Sequence, residues 1–392
     1  MMRSMGIDHA KRILLSMSFK VSCVARALKR AKGEVVMVEW SRLKPLRYIA
    51  ILIGAAMVGE AAVAQSAPPA TPEVKVPGFS MPYSSFSSPE AVALMEQARK
   101  TGPLPPNASW TAAREFYDKQ NSDRVRRMRA LYDVKVVETK IGGVSVQRVT
   151  PTAGITPGNK SRVLINLHGG AFIWGAGSGA LAEAIPIAAV GRIEVITVDY
   201  RMAPEFRFPA ASEDVAAVYK ALLARYSPRA IGIYGCSAGG FLTAESVAWF
   251  IAKKLPVPGA VGTFCASVVD LGGDSMYFAA AAAGQKPGDN ILKIAATPYF
   301  AGVRADDPLA FPGLSPAMLA KFPPTLLISG TRDFAMSSVL KSNELLTAAG
   351  VKTELHVWEG MPHAFMVDPE APESKQAYDV IARFFLAKLA TR

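Results

Sequence analysis

The sequence predicts an α/β fold with a mostly parallel central sheet and helices on both faces. Three observations predict it. Short apolar runs of strand length alternate with segments of helical period from about residue 160 to the C-terminus. Glycine-, histidine- or carboxylate-bearing motifs follow directly on those runs, where parallel sheets gather their catalytic groups. Half of the 392 residues are hydrophobic, enough to fill a large core.

The N-terminus reads differently from the rest. Arg42, Lys44 and Arg47 precede the apolar stretch Tyr48–Gly59, and Ala62-Val63-Ala64 follows it. A positive segment, a short apolar run and an A-x-A end predict a secretory signal peptide cut after Ala64. Residues 1–36 add nothing to such a signal, and Met37 is a natural start. The apolar run is short for a membrane span, and an uncleaved anchor is the alternative. Residues 1–64 hold eleven Lys/Arg against four Asp/Glu, so most of the net charge of +12 lies there. The remainder carries no basic run on which a nucleic-acid partner would dock. A secreted or periplasmic location is expected, with no stable membrane span after processing.

Residues 65–85, rich in Pro, Ala and Ser, read as a linker, and 86–392 as the catalytic body. Pro89 to Arg129 carries helical patches, including Ala91–Met95 and Trp110–Tyr117. Val134–Thr139 and Val144–Thr150 flank Gly142-Gly143, a hairpin signature. Arg162–Leu167 is a buried-strand run that ends in His168-Gly169-Gly170-Ala171-Phe172. Glycines let backbone N–H groups approach a substrate closely, so Gly169 and Gly170 are candidate oxyanion donors. His168 reads as a brace for that loop. Phe172, Ile173 and Trp174 are candidate walls of an apolar substrate pocket.

Val195–Val198 is the next strand. Then Ala230–Tyr234 runs into Gly235-Cys236-Ser237-Ala238-Gly239, with helical spacing after it through Lys254. A G-x-S-x-G between strand and helix is a nucleophile elbow, which exposes Ser237 and puts the Ala238 amide at a positive helix end. A serine needs a base. Of the four histidines, His9 is in the N-terminal segment, His168 braces a loop, and His356 alternates within Thr353–Trp358 as a strand-face residue. His363, in the Gly/Pro-broken Glu359–Phe365, is the candidate base. Pro323–Ser329 reads as a strand and Gly330–Asp333 as the loop after it, which makes Asp333 the candidate orienting acid. Asp306 and Asp307 lie instead in a long irregular insertion, Leu271–Leu314. That insertion is either a binding wall or surface cover with its aromatics packed inward.

Taken in order, these segments resemble the hormone-sensitive-lipase-type family of bacterial carboxylesterases within the α/β-hydrolase fold. The resemblance rests on His168-Gly169-Gly170, on Tyr200-Arg201-Met202-Ala203-Pro204-Glu205-Phe206-Arg207-Phe208-Pro209, on Gly235–Gly239, and on Asp333 with Gly360-x-x-His363-x-Phe365. It spans roughly Ser87 to the C-terminus and looks nearest the branch that includes bacterial lactone hydrolases. Three departures stand out. Ala171 replaces a usual third glycine, Cys236 a usual Asp before the nucleophile, and Phe334-Ala335 the Pro-Leu of a common Asp-Pro-Leu.

The resemblance implies that residues 86–132 contribute helices to a cap, and that Arg201 and Glu205 hold loops rather than react. It implies a carboxylic-ester hydrolase acting on small to medium, mainly apolar esters, lactones included. An amidase with the same triad, such as an arylformamidase, and a non-catalytic small-molecule receptor are the alternatives. The partner expected is the small-molecule ester. No metal-ligand spacing or phosphate loop occurs, so no cofactor is expected. Cys236 and Cys265 are expected as buried free thiols, with a disulfide as the alternative in an oxidising compartment. The oligomeric state is left open.

Overall fold

The computed structural model describes residues 80–102, 107–282 and 293–391, together with Gly78, Leu104 and Pro105. The expected signal segment 1–64 and all but the last part of the linker 65–85 lie outside the described residues.

Two helices come first, α1 (Pro89–Thr101) and α2 (Trp110–Leu131), each started by a serine whose hydroxyl accepts an orphan backbone N–H, Ser88 from Ala91 and Ser109 from Ala112. The hairpin β1 (Val134–Ile141) and β2 (Val144–Pro151) follows. Its register pairs Ile141 with Val144, leaving Gly142 and Gly143 as a two-residue turn with φ of 59° and 85°. Both angles need glycine, as such turns require.

The body then alternates: β3 (Val163–Leu167), α3 (Ser178–Gly191), β4 (Val195–Val198), α4 (Ala210–Leu222), β5 (Ile231–Cys236), α5 (Ala238–Ala252), β6 (Ala260–Phe264), α6 (Ser275–Ala282), α7 (Pro316–Leu319), β7 (Thr325–Arg332), α8 (Met336–Ala348), β8 (Thr353–Pro362) and α9 (Pro372–Lys388). The sheet order is β1-β2-β4-β3-β5-β6-β7-β8. The β1–β2 and β2–β4 pairs are antiparallel and the rest parallel.

Strands β3 to β6 are buried along their whole length, as parallel strands covered on both faces must be. Their alternation splits the core in two. Val163, Ile165, Ile196 and Ile233 pack against α4, α5 and α8 on one face. Leu164, Val195, Tyr234 and Phe264 pack against α3 and α9 on the other. The sheet therefore holds the C-terminal ends of β3, β5, β7 and β8 in one fixed row, where the predicted site residues emerge.

Two strands run further than the sequence suggests. Gly330–Arg332 is the end of β7 and not a loop, and β8 continues through Glu359–Pro362. Pairing survives the glycines because the register shifts between Gly330 and Arg332, a bulge that bends the strand end. Pro362 is tolerated because β8 lies at the end of the strand order, where one side of the backbone needs no ladder partner.

Candidate active site

Ser237 sits where β5 gives way to α5, with φ 55° and ψ −125°. A non-glycine residue in that region costs roughly 1–3 kcal/mol and persists only when its surroundings dictate it. Here they do. The Ser237 amide donates to Phe264 O at 2.8 Å, and the Ser237 carbonyl accepts from Gly240 and Phe241. The flanking glycines are obligatory for packing. A Cβ on Gly235 would stand 2.2 Å from Leu167 O, and one on Gly239 only 1.7 Å from it.

Asp333 follows β7 directly and is fully buried, and His363 follows β8. Their side chains meet, Asp333 Oδ1 to His363 Nδ1 at 2.7 Å. Asp333 also accepts from Ser329 Oγ at 2.8 Å and from the Ala335 amide at 2.8 Å. The last bond closes the turn that leads into α8, so the carboxylate holds both the histidine and the backbone before the helix. Burial works against its charge, yet the attraction of His363 and these donors outweighs burial and holds the carboxyl below its usual value. A carboxylate only accepts, so Nδ1 carries the imidazole proton and Nε2 is left as a base. Phe334 stacks on the ring at 4.1 Å and fixes its plane. Among the described residues no hydrogen bond joins Ser237 to His363, and such contacts are often long before substrate binds. His356 bonds Glu354 on the face of β8 and takes no part.

The glycine loop corrects one expectation. The Gly169 amide is not a free donor, because it donates to Glu183 Oε1 of α3 at 2.8 Å. The amides of Gly170, Ala171 and Ala238 have no acceptor among the described residues. Ala171 reaches this position at φ 54°, in the left-handed region where glycine is the usual residue. His168 is wholly buried, bonds the Gly169 carbonyl through Nδ1 at 2.8 Å and stacks on Tyr200 at 4.2 Å. Burial drives its pKa down to about 4, so it is neutral. It is a brace, as expected. Tyr200 Oη adds a bond to the His168 carbonyl at 2.6 Å.

The expected pocket walls are also revised. Phe172 is fully buried and stacks on Tyr299 at 4.4 Å beside Phe300, so it belongs to the core. Ile173 is buried as well, and Trp174 is covered by Tyr117 of α2, stacked at 4.2 Å. The insertion 271–314 thus sends Tyr299 and Phe300 inward, while Tyr277 and Phe278 remain exposed. Arg201 pairs with Asp214 and Glu213, and Glu205 pairs with Arg114 of α2. Arg114 also donates to the Ile173 and Ala203 carbonyls, which ties α2 to the glycine loop.

Cys236 and Cys265 are free, buried and in contact with each other. That contact and burial push the Cys265 thiol well above its usual value, so no thiolate competes with Ser237. Ligand-type atoms of Cys265, Asp333 and His363 lie within 4.8 Å of one another. The Asp333–His363 hydrogen bond already engages two of them, and Cys265 Sγ accepts the Ala364 amide at 3.3 Å.

Comparison with known proteins agrees with this architecture. Residues 164–367 match a family described as having the alpha/beta hydrolase fold. An esterase of Acinetobacter venetianus is 29% identical over 260 residues, which cover 64% of this chain and 82% of that one. A carboxylesterase/phospholipase of Mycobacterium tuberculosis, LipF, is 28% identical over 57% of this chain and 61% of its own. The stretch shared with LipR of the same organism is 36% identical but spans only 44% of that protein. The crystal structure of esterase E25 superposes with a TM-score of 0.72 at 32% identity, covering 81% of this chain and 99% of that one. An esterase from the bacterial hormone-sensitive lipase family gives 0.68 at 27% identity, covering 77% and 99%.

Proposed function

The chain belongs to the hormone-sensitive-lipase family of bacterial esterases within the α/β-hydrolase fold, and from that premise we propose that it is a serine carboxylesterase using Ser237, His363 and Asp333. The observation that carries the reading is the buried Asp333–His363 pair, which emerges on the same row of strand ends as the strained elbow of Ser237.

In the proposed reaction Ser237 Oγ attacks the ester carbonyl and its proton passes to His363 Nε2. Asp333 holds the ring through Nδ1–H and stabilises the imidazolium. The oxyanion forms at the Gly170, Ala171 and Ala238 amides, which lie near the positive end of α5. His363 returns the proton to the departing alcohol. Water then attacks the acyl-enzyme by the same route, releasing the acid and restoring the serine. Substrates are small to medium, mainly apolar esters, and lactones fit the same chemistry.

Ser237→Ala should lower turnover of short p-nitrophenyl esters by about 10⁴- to 10⁶-fold. Wild-type activity in a folded Ser237→Ala protein would overturn the assignment. A series of linear esters of increasing acyl length, run beside a few lactones, measures the substrate preference. We also propose export to the periplasm or medium through the segment ending at Ala64. N-terminal sequencing of the exported protein tests it, and a mature chain that keeps Tyr48–Gly59 would refute cleavage.

A further inference from the structure

Glu183 is a half-buried acid that the reaction above does not use. It projects from α3 into the junction between the glycine loop and the nucleophile strand. Its Oε1 accepts the Gly169 amide at 2.8 Å, and its Oε2 accepts Asn166 Nδ2 at 3.0 Å and the Cys236 amide at 3.3 Å. Those donors belong to the end of β3, the start of the glycine loop and the residue before Ser237. The segments they join are in tight contact. A Cβ on Gly169 would stand 2.9 Å from Cys236 O and 3.4 Å from Ser237 Cβ.

We propose, resting on the serine-esterase reading, that Glu183 is the positioning residue of the oxyanion hole. Holding the Gly169 amide inward leaves the next two amides, Gly170 and Ala171, to face the site without acceptors of their own. Anchoring the same carboxylate to the Cys236 amide sets the loop at a fixed distance from Ser237. A displacement near 1 Å at such a site is enough to cost about 100-fold in rate. Cys236 then has a physical reason. Its side chain and Glu183 line the same small cavity, with Ile187, Tyr234 and Phe264, so an aspartate at 236 would place a second carboxylate against the first. Burial raises the Glu183 carboxyl to about 7 while its three N–H donors pull the other way, so one negative charge is already costly there.

The test uses Glu183→Gln, Glu183→Ala, Cys236→Asp and the double variant Glu183→Ala/Cys236→Asp, with Ser237→Ala as control. Each is assayed with p-nitrophenyl butyrate, normalised to the serines titrated by a covalent phosphonate, and followed by thermal unfolding. Glu183→Gln keeps the volume but turns one acceptor into a donor that faces an N–H group. It should lower kcat about 10²- to 10³-fold with KM within about threefold, the signature of a lost oxyanion donor. The double variant should recover at least about tenfold over Glu183→Ala, while Cys236→Asp alone should unfold earlier than wild type. Wild-type kcat per titrated serine in Glu183→Gln would overturn the positioning role. A folded double variant no faster than Glu183→Ala would show that a carboxylate at this junction does not set the loop, and would likewise overturn that role. Full activity in Ser237→Ala would instead refute the esterase reading on which it rests.

Discussion

Two glutamates on helices that cover opposite faces of the sheet receive opposite treatment. Glu183 of α3 and Glu245 of α5 are each the one charged residue of an otherwise apolar or small-residue helix. Glu183 has three N–H donors around its two oxygens. Glu245 is more deeply buried, and neither of its oxygens has a hydrogen-bond partner among the described residues. Burial lifts the Glu245 carboxyl well above its usual value, which favours its neutral form. A buried acid is thus informative only through its partners. With donors from separate segments it fixes their geometry, and without donors it is a cost carried by the fold.

Asp333 extends the first case and gives the largest expected effect. It is fully buried and likewise has three donors, but one of them is the base. Asp333→Asn keeps the shape and turns an acceptor into a donor, which favours the wrong tautomer of His363. Turnover should fall about 10⁴-fold with thermal stability little changed. Steady-state kinetics of the folded variant measure this. A drop of less than tenfold would mean that the pair is structural and that Glu183 has no reactive counterpart to compare with.

Glu245 gives the stability half of the contrast. Replacing it with methionine removes an unpartnered buried carboxyl, whose burial costs about 1–3 kcal/mol, so Glu245→Met should unfold at a higher temperature with kcat unchanged. The sign of the pH dependence follows from linkage. The folded-state pKa lies above the unfolded value, so the wild type loses stability as pH rises past the ordinary glutamate range, where only the unfolded chain ionises. The gain from Glu245→Met should therefore be larger at pH 8 than at pH 5. His168, held neutral with its pKa near 4, contributes the opposite trend below about pH 6.5, but it is common to both proteins and cancels. Denaturant titrations at the two pH values decide the matter. An equal or smaller gain at pH 8 would show that Glu245 finds a partner in solution.

What the sequence made legible was what depends on chain order and local punctuation. The elbow, the strands and the placement of Asp333 and His363 after β7 and β8 follow from glycines, apolar runs and motif spacing. Strand ends at Gly330–Arg332 and Glu359–Pro362 did not, because a register shift carries the ladder past residues that usually stop it. Phe172 was misplaced for a similar reason. Its neighbours Tyr299 and Phe300 come from an insertion more than a hundred residues away. Glu183 was missed although a signal existed, since a lone acid in a helix otherwise of apolar and small residues is drawn toward the core and needs a partner there. The same signal marks Glu245, so the sequence could flag both acids but not tell the anchored one from the orphan.

The smallest expected effect separates the half-buried clamp on the glycine loop from an exposed one. Arg114 of α2 reaches the same region, donating to the Ile173 and Ala203 carbonyls while paired with a half-exposed Glu205. Exposed ion pairs contribute about 0–1 kcal/mol and are screened by salt. Arg114→Ala should therefore lower stability modestly and change kcat by less than about threefold, well short of Glu183→Gln. Raising the ionic strength should erase part of the stability difference, whereas the effect of Glu183→Gln, which rests on short hydrogen bonds to neutral amides, should respond less to salt. A loss of kcat in Arg114→Ala as large as that in Glu183→Gln would place control of the loop in α2. The loop would then be set from outside by the helix above it, and Glu183 would be only a partner that follows.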